Sequence, residues 1–181
     1  RQLALEKILS QPSEIKPGNF LYSNSGFVIA GHMLEKIAGK PWEDLIFKEL
    51  FTPLHMETAG FGAPRDTKDH RQPWGHNQES KEVAPTDLNA DNPAIMGPAG
   101  TVHLTILDWA KYINLHLAGE HGDTDLLKQS SFQKLHNPVE GSSVPYAMGW
   151  LIENQSWANG KVLTHAGSNE LWYAKVWIAP S

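Results

Sequence analysis

Tyr22-Ser23-Asn24-Ser25-Gly26 stands between a Pro17-Gly18 turn and the apolar run that begins at Phe27. The stretch places a phenol, hydroxyls and an amide at the mouth of a helix, where the first-turn N–H groups lack intrahelical acceptors. Asn24 or Ser25 can supply the capping oxygen. Beyond it Phe27, Ala30, Leu34, Ile37 and Ala38 recur at helical spacing, and Gly39 suits the left-handed position that closes a helix. A cap explains the short polar side chains but not the phenol. A second polar stretch, Thr164-His165-Ala166-Gly167-Ser168, raises the same question far along the chain.

Upstream, Leu3, Leu5, Ile8 and Leu9 space like the end of an amphipathic helix stopped by Pro12. Downstream, Pro41 suits the first turn of a second helix carrying Trp42, Leu45, Ile46 and Leu50, which Pro53 ends, so the two helices form a hairpin. From Gly60 to Asn92 the periodic apolar pattern stops; Pro64, Arg65, Asp66, His70, Pro73, Trp74, His76, Pro85 and Asp87 mark an irregular excursion, read as a cleft-side flap or as disorder. Ala94 to Gly100 reads as a small-residue turn. Thr105 and Asp108 resemble a capping box for a helix with Ile106, Trp109, Ala110, Ile113 and Leu117, closed at Gly119. A short helix with a serine cap follows over 130–135.

The period then changes. Tyr146, Met148, Trp150 and Ile152 alternate as in a strand, Asn159-Gly160 signals a hairpin back through Lys161 to His165, and Leu171 to Ile178 reads as a third strand buried on both faces. Helices first and strands last predict an α+β fold rather than a βαβ alternation. The expected organisation is a single partial domain over 1–181, helical over about 1–140 with the irregular loop at 60–92, and three antiparallel strands over about 145–179.

Composition narrows the function classes. The 181 residues, 40% hydrophobic and 19% charged, suit one compact globular domain. A net charge of -5 with dispersed Lys and Arg argues against a nucleic-acid surface. The absence of cysteine removes disulfides and thiol catalysis, and no apolar run reaches membrane-spanning length. The chain opens in what reads as mid-helix and closes on a strand with no covering helix, so the expectation is a piece of something longer.

Nine histidines invite a metal, yet no His-Glu-x-x-His occurs, and His70 and His76 lack a third ligand; the expectation is no metal and no cofactor. Gly97-Pro98-Ala99-Gly100-Thr101 lacks the lysine of a phosphate loop, and G-x-S-x-G is missing. Nucleophilic serine chemistry of another kind remains. A serine attacking an acyl carbon needs a group to take and return its proton, which a tyrosine held near cations can do as a phenolate, or by relay through a neighbouring lysine. Asn24 could donate to a substrate carbonyl, and a backbone N–H at the turn after His165 could face a developing oxyanion.

Four stretches in this order carry a family resemblance: 17–27 around Tyr22-Ser23-Asn24, Leu50-Phe51-Thr52-Pro53-Leu54-His55-Met56, Pro98-Ala99-Gly100, and His165-Ala166-Gly167. The chain resembles the serine β-lactamase and penicillin-binding protein superfamily, in its class C-like branch with esterases and D-amino-acid peptidases. That resemblance implies the β-lactamase/transpeptidase-like fold, here incomplete, and a hydrolase working through an acyl-enzyme on an ester, amide or β-lactam. It implies Tyr22 as the Y-x-N base or proton relay, Asn24 as the binder of the substrate amide, and His165-Ala166-Gly167 in place of K-T-G. It makes Gly167 and the N–H of Ser168 part of the oxyanion and substrate-binding strand. It also implies a small-molecule acyl substrate as partner and a periplasmic or secreted location.

Two departures matter. Histidine and alanine replace the lysine and threonine of K-T-G, which makes the local charge pH-dependent and favours esterase or peptidase-like activity. The family's S-x-x-K occurs only as Ser13-Glu14-Ile15-Lys16, caught between prolines, and Ser131-Phe132-Gln133-Lys134, downstream of Tyr22; both read as chance matches. The nucleophile segment is therefore expected outside this chain. The chain alone should be inactive, with an open apolar face suited to self-association or to pairing with the missing N-terminal segment. The alternative is a non-catalytic binding or scaffold homologue that has lost its nucleophile.

Overall fold

The computed structural model describes residues 1–64, 73–77, 84–85 and 90–180. The chain divides into two units, one of Arg1–Glu14, Tyr22–Asp108 and Ser168–Tyr173, the other of Ile15–Leu21, Trp109–Gly167 and Ala174–Ser181.

The first unit is built on α2, Asn24–Ala38. Ser23, not Asn24 or Ser25, is its N-cap: the Gly26 N–H donates to Ser23 Oγ at 3.2 Å. Serine at this extended position satisfies one orphan donor and leaves the residues on either side of it for other uses. Gly39 closes the helix with φ 66°, as expected. The buried face differs from the one the spacing predicts. Val28 and Gly31 are buried, whereas Leu34 and Ile37 are exposed, because the face at Gly31 is the one that meets α4, Gly97–Gly100. A Cβ on Gly31 would lie 2.3 Å from Pro98 Cγ, so the two backbones approach closely only with glycine there. The stretch read as a small-residue turn is thus a 3-10 turn, Ala94–Met96, running into α4.

Polar contacts tie the other helices to α2. Arg1, which precedes α1 (Gln2–Leu9), reaches the carboxylates of Glu35 and Glu43. Glu35 also accepts from the Trp42 N–H at 3.0 Å at the start of α3, Trp42–Ile46, which continues as a π-helical turn over Phe47–Phe51. Burial works to raise the Glu35 pKa, but hydrogen bonds from His32 and the Trp42 N–H, with the Arg1 charge, hold it below the usual value. The described residues of the excursion include short paired segments. Gly60–Phe61 (β1) pairs antiparallel with Val102–His103 (β4), and His76–Asn77 (β2) with Ala84–Pro85 (β3). Arg65, Asp66, His70 and Asp87 lie outside the described residues. The capping box is real but shared. The Asp108 N–H reaches Thr105 Oγ1 at 3.4 Å, while the Asp108 carboxylate accepts from the Thr58 N–H at 2.7 Å instead of returning to Thr105.

The second unit packs Tyr112, Ile113 and Leu117 of α5, Ile106–His121, against Ala147 and Trp150 of the segment before the sheet and Leu163 and Ile178 of the sheet itself. Its sheet has the order β5-β6-β7, with β5 at Leu151–Gln155, β6 at Gly160–Ser168 and β7 at Tyr173–Ile178. The Asn159-Gly160 hairpin forms: β5 and β6 pair antiparallel from Leu151↔Thr164 to Gln155↔Gly160, across a 3-10 turn and Asn159 at φ 55°. Three expectations fail here. Tyr146 to Trp150 is a turn, with Ala147 and Trp150 both buried and Gly149 at φ 104°, so the alternation read there is not a strand. Only Ile178 of β7 is buried, because β7 is the edge of the described sheet and Trp177 instead meets Trp157 at 6.3 Å on an open face. α6, Gln129–Leu135, starts at Lys128 without a side-chain cap, so no serine caps it.

Gly119 does not close α5, which runs on to His121 before Gly122 turns at φ 81°. It makes room instead: a Cβ there would sit 2.3 Å from the buried Phe132 ring. Beside it His116 and His136, both buried, share a hydrogen bond of 2.8 Å, and His136 donates through Nδ1 to Glu120, whose other oxygen faces Lys161. Burial first, then repulsion from His136, pushes His116 down to about 4.

Two outcomes follow. Gly119→Ala gains about 1 kcal/mol of helix propensity but overpacks against Phe132, so urea unfolding should report a net loss of about 1–2 kcal/mol. Below pH 6.5 the unfolded chain takes up a proton on His116 that the folded chain refuses until about 4. Stability should therefore fall as pH drops across that window, by roughly 3 kcal/mol at its end, and His116→Gln should flatten the slope.

Candidate active site

The cap at Ser23 decides how the opening stretch presents itself. With Ser23 Oγ occupied by the helix, Tyr22 and Asn24 flank it, both exposed, and the Tyr22 hydroxyl donates to Asn24 Oδ1 at 3.4 Å. The Asn24 carboxamide thereby turns its oxygen to the phenol, and its NH2 remains a donor. A phenol and an amide so paired can pass a proton and hold a carbonyl.

His165 lies on β6 in the second unit, half-buried, with its ring edge-on to Tyr146 at 6.3 Å; Tyr146 in turn packs on Phe20 at 5.1 Å. Burial lowers its pKa from 6.5, which favours the neutral ring at pH 7. Where a lysine would present a fixed charge, this strand presents an uncharged imidazole. Ala166, Gly167 and Ser168 follow in extended, exposed backbone.

Ser168 belongs to the first unit, as do Tyr22 and Asn24. The chain turns immediately after it. Ser168 Oγ accepts the Glu170 N–H at 3.1 Å, and Asn169 Oδ1 accepts those of Leu171 at 3.2 Å and Trp172 at 2.9 Å. Asn169 Nδ2 donates to Asp91 Oδ1 at 2.6 Å, and the His76 N–H donates to the Leu171 carbonyl at 3.1 Å. Asp91 and Asn169 are absent from the sequence-based residue set. An Asn following a Gly-Ser strand end is a turn signal that could have raised Asn169, but nothing local links it to Asp91.

Neither S-x-x-K string heads a long helix: Ser13 lies in the irregular segment after α1, and Ser131 sits inside the seven-residue α6. Among the described residues no group of His, Asp and Glu could hold a metal ion, and no helix is long and apolar enough to cross a membrane.

The Beta-lactamase family profile matches residues 2–181. The Bacillus subtilis protein named "Putative penicillin-binding protein PbpX" is 26% identical over 148 residues, covering 82% of this chain and 35% of its own length. Penicillin-binding protein 4 of Amycolatopsis lactamdurans is 28% identical over 97 residues, covering 53% and 25%. The chain thus spans about a third or less of the length of these curated relatives. Among solved structures, the octameric penicillin-binding protein homologue from Pyrococcus abyssi superposes with TM-score 0.77 at 23% identity, over 99% of this chain and 40% of that one. The D-stereospecific amidohydrolase from Streptomyces sp. gives 0.68 at 24% identity, over 88% and 46%. These neighbours share the mixed helix and antiparallel-sheet fold, and with the family profile covering nearly the whole sequence, the chain belongs to the beta-lactamase family.

Proposed function

We propose that this chain is the part of a serine hydrolase of the β-lactamase type that supplies the proton-relay tyrosine and the oxyanion strand, the parent protein acting through an acyl-enzyme. The observation that carries the reading is the pairing of Tyr22 with Asn24 across a helix cap supplied by the serine between them. In that role Tyr22 works as a phenolate, or hands its own proton on to the lysine of the S-x-x-K segment, as it takes the proton of the attacking serine, and the proton returns by the same route to the leaving group. Asn24 donates to the substrate carbonyl, and the Ser168 N–H stabilises the oxyanion. The serine itself is proposed to lie in an S-x-x-K segment outside these residues, and the parent is proposed to work outside the cytoplasm, as penicillin-binding proteins do.

The neutral His165 bears on substrate. A β-lactam or a peptide C-terminus brings a carboxylate that a cation would hold, and an imidazole kept neutral by burial holds it poorly at pH 7. Neutral esters and amides are therefore the preferred class.

The test is steady-state kinetics of the full-length protein on p-nitrophenyl acetate, D-alanyl p-nitroanilide and a chromogenic cephalosporin. The ester should turn over best, and Tyr22→Phe should lower kcat by about 10²- to 10⁴-fold, the range for a lost general base. Turnover unaffected by Tyr22→Phe, or abolished by Ser13→Ala, would sink this assignment. Absence of turnover on all three would favour the non-catalytic scaffold instead. Because the His165 pKa lies below 6.5, protonation there should lower KM for the carboxylate-bearing cephalosporin as pH falls below 6.5, with KM for the ester unchanged.

A further inference from the structure

We propose that Asn169 is a positioning residue that sets the Ser168 peptide, and that Asp91 holds Asn169 in the orientation this requires; the inference rests on the hydrolase reading of Ser168. Beyond Ser168 the backbone reverses through Glu170 at φ 71°, a left-handed conformation that a residue with a Cβ adopts at a cost. The turn therefore needs fixed partners. It has them in sequence: the Glu170 N–H goes to Ser168 Oγ, and the Leu171 and Trp172 N–H groups go to Asn169 Oδ1.

An asparagine side chain has two nearly isosteric faces, and only one of them accepts hydrogen bonds. Rotated by half a turn, Asn169 would aim its own NH2 at the Leu171 and Trp172 N–H groups and the turn would lose both bonds. Asp91 removes that choice. Its carboxylate can only accept, so the 2.6 Å contact requires Asn169 Nδ2 to face it and leaves Oδ1 facing the backbone. Asp91 lies in the 60–92 excursion, and His76 of the same excursion adds a second tie at the Leu171 carbonyl. Asp91 and His76 thus reach the turn after Ser168 through these hydrogen bonds, all within the first unit.

This logic permits a polarity swap. Asn169→Asp sets two carboxylates against each other, while the double variant N169D/D91N restores a donor and an acceptor with their positions exchanged. The carboxylate at 169 still accepts from Leu171 and Trp172.

The experiment uses the full-length protein with p-nitrophenyl acetate, alongside hydrogen exchange of the peptide covering 168–172. Asn169→Asp should lower kcat about 10- to 100-fold with KM within about 2-fold, the pattern of a displaced transition-state donor, and should speed exchange. The double variant should recover most of both. If Asn169→Asp does not fold, Asp91→Ala reads the same effect, with kcat lowered by about 10-fold at constant KM. Unchanged kcat in Asn169→Asp or Asp91→Ala, or a double variant no better than the single, overturns the inference while the hydrolase reading stands. A wild type without hydrolase activity overturns both.

Discussion

The close approach of α2 to Pro98 is the constraint on which the first unit depends. No side chain fits at Gly31, where a Cβ would fall 2.3 Å from the proline ring. With that face committed to α4, Glu35 one turn further on is placed to receive Arg1, His32 and the Trp42 N–H, and α1 and α3 are fixed to the same helix. The other end of α2 is then a rigid mount. Ser23 ends it, and the residues on either side of that cap are the phenol and the amide on which the proposed chemistry rests.

What the sequence revealed and what it hid follow from the range of each interaction. Helix positions were legible because periodicity, proline and glycine act within a few residues, as at Pro12, Gly39 and Pro53. The hairpin at Asn159-Gly160 was legible for the same reason. Which face a helix buries depends on a partner far along the chain, so the Leu34 and Ile37 row looked like core and is exposed. The sequence points to Asn24 or Ser25 as the cap, one or two residues too late, because three short polar residues in a row can all cap and only the backbone angle at Ser23 decides. Gly119 looked like a terminator, since local reading cannot see Phe132 lying across it.

The candidate site divides in the same way. Tyr22, Asn24 and the His165-to-Ser168 strand stand in motifs whose order along the chain is itself a signal. Asp91 and Asn169 meet across 78 residues, in a contact that no spacing rule anticipates. The chemistry at these positions shares a physical theme. Two of these contacts have a fixed polarity: the Tyr22 phenol donates to the Asn24 amide oxygen, and the Asn169 amide is oriented by the Asp91 carboxylate. Such preorganisation suits acyl transfer, in which charge develops and disappears on a carbonyl oxygen and no group need carry it permanently.

The central claim is that this chain serves an acyl-transfer reaction whose nucleophile is a serine outside residues 1–181. Intact-mass spectrometry of the full-length protein, acid-quenched during turnover of an activated ester and followed by peptide mapping, tests it most directly. The account predicts one acyl group per chain, on the serine of an S-x-x-K segment, accumulating more slowly in Tyr22→Phe. An adduct mapped to Ser13 or Ser131, or no adduct from a protein that still consumes the ester, would contradict it.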